Sequence, residues 1–315
     1  MVLVVLCIMT ILITGGTGSI GRRLTQLLQQ KGHTVAWLSR SEQSVPNVQV
    51  YHWDVRKSQI DARAVADADA IIHLAGAGIA DERWSDARKR EILESRTQST
   101  ALLAQALRNT PNRVRVFVSS SAIGYYGGDT GDRPMTETSP AGSDFLAQVT
   151  RAWERSVEEI DTIKTTEGQP IRTVRIRTGV VLTMAGGALP KLVQPIRLGA
   201  GAAIGSGQQY ISWIHVDDIC QLFIQAVETE SWKGAYNGVA PDPVTNEALT
   251  REIASVLKRP LILPKVPAFA IKLAFGELAV TVLGSSLVLN KRIAHETTFA
   301  YKFPKLRDAL EDLLK

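Results

Sequence analysis

The sequence predicts an α/β fold: a doubly wound parallel sheet with a smaller, mostly helical C-terminal substrate domain. Three observations predict it. A glycine-rich turn joins an apolar run to an amphipathic segment near the start. Short apolar runs then alternate with helical patterns as far as residue 182. Beyond that the composition shifts to glycine-rich loop, and later to helices broken by prolines.

The first element is Thr10-Ile11-Leu12-Ile13, which reads as a buried strand. The turn Thr14-Gly15-Gly16-Thr17-Gly18-Ser19-Ile20-Gly21 follows. Ile20, Leu24, Leu27 and Leu28 then recur at helical spacing. Glycines in this strand–turn–helix setting form a dinucleotide cradle. Gly15 lets the chain turn sharply, Gly18 leaves room for a pyrophosphate, and Gly21 lets helix approach strand. The helix N-terminus offers free N–H groups and the positive end of its dipole.

Val35-Ala36-Trp37-Leu38 is the second strand and ends at Ser39-Arg40. NAD-binding folds place a carboxylate there for the ribose 2′-hydroxyl. An arginine suits a 2′-phosphate instead, which favours NADP(H). Arg22 either assists or is a solvated first-turn residue. Val48 to Trp53 alternates as a third strand. Asp54-Val55 at its end either caps the next helix or faces the adenine edge. Ala70 to Leu74 is a fourth strand, and the small residues Ala75-Gly76-Ala77-Gly78 let a cofactor lie over its end. His73 reads as a packed strand residue. Residues 81–108 read as one long helix with a solvated charged face, from which Ser95-Arg96 could reach an anionic group.

Val114 to Val118 is strand five and runs into Ser119-Ser120-Ser121-Ala122, then Gly124-Tyr125-Tyr126-Gly127. Ligands bind at the carboxyl ends of strands in open α/β sheets. Serine and glycine also form turns, but the position favours Ser121 as a site hydroxyl. Residues 143–160 read as helix, and residues 171–182 as a sixth strand with its exit. Residues 183–212 are loop with one short helix near 189–198. Trp213 to Asp218 leads into a further helix, with Asp217 as its N-cap and Asp218 in the first turn. His215 beside them resembles a metal cluster only superficially, and no metal is expected. The expected domains are 9–182, completed by about 213–240, and a cap from 183–212 and 241–315.

Lysine and arginine total 36 against 31 acidic residues, a formal charge of +5. Without a long basic block this points away from nucleic acid and suits an anionic cofactor or substrate. The two cysteines, Cys7 and Cys220, form no disulfide framework or metal motif and fit a reducing cytoplasm. The apolar first 13 residues lack a basic leader and are too short to span a bilayer, so no membrane is expected. Residues 1–8 read as dispensable, with Met9 a sufficient start. The oligomeric state is left open.

Taken together, these pieces resemble the extended, atypical short-chain dehydrogenase/reductase superfamily, in its NAD(P)-dependent epimerase/dehydratase group. More narrowly they resemble YfcH-type epimerase-family proteins with their own C-terminal domain. The resemblance rests on Ile13 to Arg22, Leu74-Ala75-Gly76, Arg83-Trp84 with Ser95-Arg96, and Ser121 to Gly127. It continues through Arg177 to Leu182, Trp213 to Asp218, Pro243 to Asn246 and the tail from about 264 to 314.

The resemblance implies a Rossmann-type fold holding NADP(H). Gly15, Gly18 and Gly21 would line the pyrophosphate and Arg40 the 2′-phosphate, with Gly16, Thr17, Ser19, Ile20, Arg22 and Ser39 the further cofactor-binding residues beside them. Asp54 and Val55 would lie near adenine, and Leu74, Ala75 and Gly76 under the ribose. Ser121 matches the active-site hydroxyl. The superfamily's Tyr-x-x-x-Lys pair is absent, with Leu146 and Thr150 in its place. Two readings follow. One is an oxidoreductase or epimerase acting on a sugar-like or nucleotide-linked small molecule. There Ser121 orients the substrate oxygen, Tyr125 or Tyr126 supplies the proton, and Arg96 and Lys191 hold an anionic group. The other is a non-catalytic NADP(H)-binding sensor or regulatory protein.

Overall fold

The computed structural model describes residues 8–41 and 43–315. The expectation for residues 1–8 falls almost wholly outside them. In chain order the strands are β1 Thr10–Thr14, β2 Thr34–Ser39, β3 Val48–Asp54, β4 Gln59–Ile60, β5 Ala70–His73 and β6 Val116–Ala122. They continue with β7 Arg172–Thr178, β8 Val180–Leu182, β9 Tyr210–Ile211, β10 Trp213–His215, β11 Gly234–Gly238 and β12 Val244–Thr245. The helices are α1 Ser19–Gln30, α2 Arg63–Ala66, α3 Asp86–Asn109, α4 Phe145–Glu158, α5 Ala188–Arg197 and α6 Val216–Glu228. Then come α7 Asn246–Val256, α8 Ala268–Phe275, α9 Val280–Leu283, α10 Lys291–Glu296 and α11 Leu306–Leu314.

Eight strands form the main sheet in the order β11-β7-β6-β5-β1-β2-β3-β4. All its pairings are parallel except β3 with β4. The chain winds outward from β1 through β2 and β3, then crosses back to β5 and winds the other way. The switch point therefore lies between β1 and β5, where open α/β sheets bind ligands.

Side chains alternate across each strand, so both faces are covered. Ile11 and Ile13 pack with Leu24 and Leu28 of α1 and Ile219 and Phe223 of α6. Leu12, Ile71 and Phe117 face the other way, onto Leu103 and Leu107 of α3 and Trp153 and Val157 of α4. A separate core joins Leu189, Val193 and Ile196 of α5 to Leu249 and Ile253 of α7 and Leu310 of α11.

Three local expectations change. Residues 81–85 are not helical: Ser85 caps α3, its hydroxyl accepting the Arg88 N–H. The serines 119–121 continue β6 rather than form a turn, because β7 pairs with them as far as Ala122–Thr178. His215, not Asp217, is the N-cap of α6, and its Nδ1 accepts the Asp217 N–H at 3.1 Å. The Asp217 carboxylate is thereby freed to take both guanidinium nitrogens of Arg23 on α1, at 2.6 and 3.0 Å.

Candidate functional site

At the switch point a cleft of about 790 Å³ opens between the glycine turn, the ends of β2, β3 and β5, and the first turns of α3. Gly15 adopts φ +72°, where a side chain would be strained, and its Cα lies against the Leu74–Ala75 backbone. A Cβ on Gly21 would run into the Gly15 carbonyl, so α1 rests directly on the turn. A Cβ on Gly16 would strike the Trp37 ring. Trp37 is itself fixed by an Nε1–H···Oγ bond of 3.0 Å to Thr25. Gly18 faces the open cleft and begins α1, which has no side-chain cap and no acidic residue in its first turn. The turn is thus a backbone cradle whose donors suit a pyrophosphate.

Gly15, Gly16, Thr17, Gly18, Arg22, Ser39, Arg40, Asp54, Val55, Leu74, Ala75 and Gly76 all line the cleft. Ser19, Ile20 and Gly21 do not. They are the first helical residues, with Ile20 packed on the core and Gly21 on the turn. Arg22 donates through Nε to the Thr17 carbonyl at 2.9 Å, which sets its guanidinium over the turn. Asp54 caps the short helical turn after β3, its carboxylate accepting the Arg56 and Lys57 N–H groups, and the residue also lines the cleft.

Beneath the cleft, the Thr14 hydroxyl accepts the Leu74 and Ala75 N–H groups, each at 3.1 Å. Its own proton goes to His73 Nδ1 at 2.7 Å, leaving Nε2–H for Ser99 at 3.1 Å. Burial, reinforced by the nearby Arg96 charge, pushes His73 down to about 3, so it stays neutral. It is a packing and hydrogen-bonding residue of β5.

The residues proposed for chemistry lie elsewhere. Ser121, Arg177 and Asn237 are in register on β6, β7 and β11, side by side at the carboxyl ends. Glu154 of α4 reaches down to them. The Ser121 hydroxyl donates to Glu154 Oε1 at 2.6 Å. Arg177 forks onto the same carboxylate at 2.8 Å on each side. Its Nη1 donates to the Tyr126 hydroxyl at 2.9 Å, and that hydroxyl donates to Asn237 at 2.8 Å. The serine, glutamate and arginine are 3%, 6% and 4% exposed, so this is a closed ionic network.

Burial pushes the Tyr126 phenol up to about 12 despite the neighbouring guanidinium. Burial alone would lower Arg177, but the Glu154 hydrogen bonds and charge raise it above the usual arginine range. Tyr126 therefore has both hydrogen-bonding roles filled and little tendency to ionise. The Ser121 hydroxyl proton is held in its hydrogen bond to Glu154. Neither lines the cleft. Tyr125 is half-buried, with the Arg177 guanidinium carbon 3.4 Å from its ring centroid. Thr150 bonds back to the Leu146 carbonyl at 2.8 Å and faces Gly124.

The two substrate candidates are not brought to the cleft wall. Arg96 is buried under Gly76, stacked on Trp153, and donates to the Ala77 and Ile92 carbonyls at 3.0 and 2.9 Å. Burial, helped by the like charge of Arg88, brings it down to about 10. Its observed role is to pin the loop after β5. Lys191 is an exposed residue of α5.

Several lining and network residues went unrecognised in the sequence: Trp37 behind the turn, Arg90, Glu94 and Gln98 on the α3 wall, and Glu154, Arg177 and Asn237. Helical spacing from Ser95 would have found Glu91 and Gln98. The network depends on strand register, which no local pattern encodes.

The comparisons with known proteins agree with this architecture. The model of the NAD dependent epimerase/dehydratase family matches residues 11–237, and a domain of unknown function, DUF1731, matches residues 266–313. An Arabidopsis thaliana protein, the chloroplastic epimerase family protein SDR39U1 homolog, is 39% identical over 314 residues. That match covers 98% of this chain and 87% of the relative. The Homo sapiens epimerase family protein SDR39U1 is 33% identical, over 97% of this chain and 100% of its own. The crystal structure of human SDR39U1 (isoform2) with NADPH superposes with a TM-score of 0.84 at 32% identity. It covers 97% of this chain and 99% of that one. The chain therefore belongs to the NAD-dependent epimerase/dehydratase family.

Proposed function

We propose that this chain binds NADP(H) in the cleft and acts as an epimerase-family oxidoreductase or epimerase. The observation that carries the reading is the end of β2, where Ser39 and Arg40 reach the cleft at the position of a ribose-binding carboxylate. The NADPH of the human relative supports it. In this reading Gly15, Gly16, Thr17 and Gly18, with the first N–H groups of α1, hold the pyrophosphate. Arg40, with Ser39 and Arg22, holds the 2′-phosphate. Asp54 and Val55 meet the adenine, and Leu74, Ala75 and Gly76 lie under the nicotinamide-side ribose.

The bound dinucleotide would supply or accept a hydride. The substrate is a small molecule, sugar-like or nucleotide-linked, at the carboxyl ends of β6 and β7. Since Tyr126 and Ser121 hold their protons within the network, Tyr125 is the phenol left for proton transfer. A cytoplasmic location is part of the same reading.

Titration with both dinucleotides tests it. One charge-assisted contact is worth about 1.5–3 kcal/mol, or roughly 10- to 100-fold in affinity. NADPH should bind more tightly than NADH by that factor, and Arg40→Ala should remove most of the preference while sparing NADH. Equal affinity of the native protein for the two sinks the assignment.

The closed Ser121–Glu154–Arg177–Tyr126 network favours a second reading, an NADP(H)-binding regulatory protein without turnover. Screening small carbonyls and nucleotide sugars for NADPH oxidation separates the two. A substrate whose turnover falls at least about 100-fold in Tyr125→Phe supports catalysis through that phenol. NADPH binding that alters protease sensitivity with no turnover supports the regulator.

A further inference from the structure

The C-terminal domain carries a face that its own chain does not cover. α8 reads Ala-Phe-Ala-Ile-Lys-Leu-Ala-Phe, and none of its residues is fully buried. Phe269 and Leu273, one turn apart, are 72% and 79% exposed. An apolar helix of this kind is stabilised by being covered. The exposure is not scattered over the molecule. Among the described residues, every exposed large apolar side chain except Ile8 falls within residues 184–198 or 262–275. The two regions are tied together: the Val266 N–H donates to the Ala203 carbonyl, and the Gly205 N–H to the Val266 carbonyl, each at 2.8 Å.

Charge adds an independent observation. Residues 183–212 and 253–276 contain Lys191, Arg197, Lys258, Arg259, Lys265 and Lys272, and no aspartate or glutamate. All six are exposed. Among the described residues only Lys265 has a carboxylate partner, Glu247 at 2.8 Å. Among the described residues five of the six have no carboxylate partner, as many as the formal excess of the whole chain, +5. Apolar side chains beside an excess of cations, with the nearby acids Glu247 and Glu277 already paired to Lys265 and Lys89, complement a surface that is apolar inside and anionic at its edge. A second copy meeting this face about a two-fold axis would set like charges against each other.

We propose that this face docks reversibly on an anionic lipid bilayer. α8 lies in the interface plane, Phe269 and Leu273 enter the acyl boundary, and the basic side chains sit over the headgroups. No helix among the described residues is long and apolar enough to cross a membrane, so the contact is made from one side. The expectation of no membrane came from the lack of a spanning segment. Docking from one side depends on the exposure of α8, which the sequence does not display.

Vesicle flotation of the full chain tests the proposal, using phosphatidylcholine vesicles with and without phosphatidylserine. The protein should float with the anionic vesicles, at least about tenfold more than with phosphatidylcholine alone, and less as salt rises. The double variants Phe269→Asp/Leu273→Asp and Lys258→Glu/Arg259→Glu should each lose at least about tenfold of the bound fraction. Their melting temperatures should stay native, because the altered side chains are exposed. Failure of the native protein to float, equal flotation on neutral vesicles, or unchanged flotation of the Phe269/Leu273 variant overturns the proposal. A native dimer that this variant splits into monomers also overturns it, by making the face an interface between copies.

Discussion

Glu154 holds together the carboxyl ends of two strands. It accepts the Ser121 hydroxyl and both arms of Arg177, with almost no water to share the load. Removing one partner of such a pair leaves the other charge buried and uncompensated, at a cost of about 3–5 kcal/mol. Glu154→Gln should therefore destabilise the protein by about that much in denaturant melts. The double variant Glu154→Gln/Arg177→Met should recover part of the loss, since no lone charge remains. Full additivity of the two single losses would show that the pair is not coupled. The place of Ser121 at the carboxyl end of a strand was legible in the sequence. Its partners were not: Glu154 and Arg177 stand 33 and 56 positions away, by residue number, and meet it only through packing and register.

The element that the sequence showed most plainly is the strand–turn–helix unit, because its conformation is dictated within a dozen residues. Gly21→Ala tests it. The added methyl would meet the Gly15 carbonyl and the Gly16 backbone, neither of which can move far. Overpacking of this kind costs about 1–3 kcal/mol. The expected outcome is a lower melting temperature together with at least about tenfold weaker dinucleotide binding by titration. Normal binding would mean that α1 can slide away from the turn. Element boundaries were less legible where a side chain rather than a period sets them. α3 starts at Asp86 because Ser85 caps it, and α6 is capped by an imidazole. The short pairs β8–β10 and β9–β12 carry no pattern long enough to read.

On the scale of the whole molecule, Asp217 fastens α6 to α1 through Arg23 and to the C-terminal segment through Lys302 at 3.2 Å. Burial would raise its carboxyl, but the hydrogen bonds from Arg23 and Lys302 outweigh that and hold it below the usual carboxylate range. Its contribution is thus present above the unfolded value of about 4 and is lost as pH falls through the lower folded value. Asp217→Asn should melt below the native protein at neutral pH, and the gap should close progressively below about pH 4. A gap that is constant with pH would assign the effect to packing. That a parallel sheet is followed by a helical C-terminal region was readable from the sequence. The exposed side of the cap was not, because apolar residues in a helix look alike whether covered or bare.

The order of the sheet has a consequence for synthesis. β7 is an inner strand only because β11 lies beside it, and β11 is made much later in the chain. At about 5–20 residues per second, residues 179–233 take roughly 3–11 s to emerge. During that interval the nascent β7 presents an open row of N–H and C=O groups to any neighbouring chain. Its sequence, Arg-Thr-Val-Arg-Ile-Arg-Thr, puts a guanidinium at three of seven positions. Charges of one sign along a bare edge repel another copy of the same strand. In the finished protein Arg172 turns to the carbonyls of Ala226 and Trp232, Arg175 to Glu158 and Arg177 to Glu154. The guard against aggregation on the ribosome thus becomes the mortar of the finished edge.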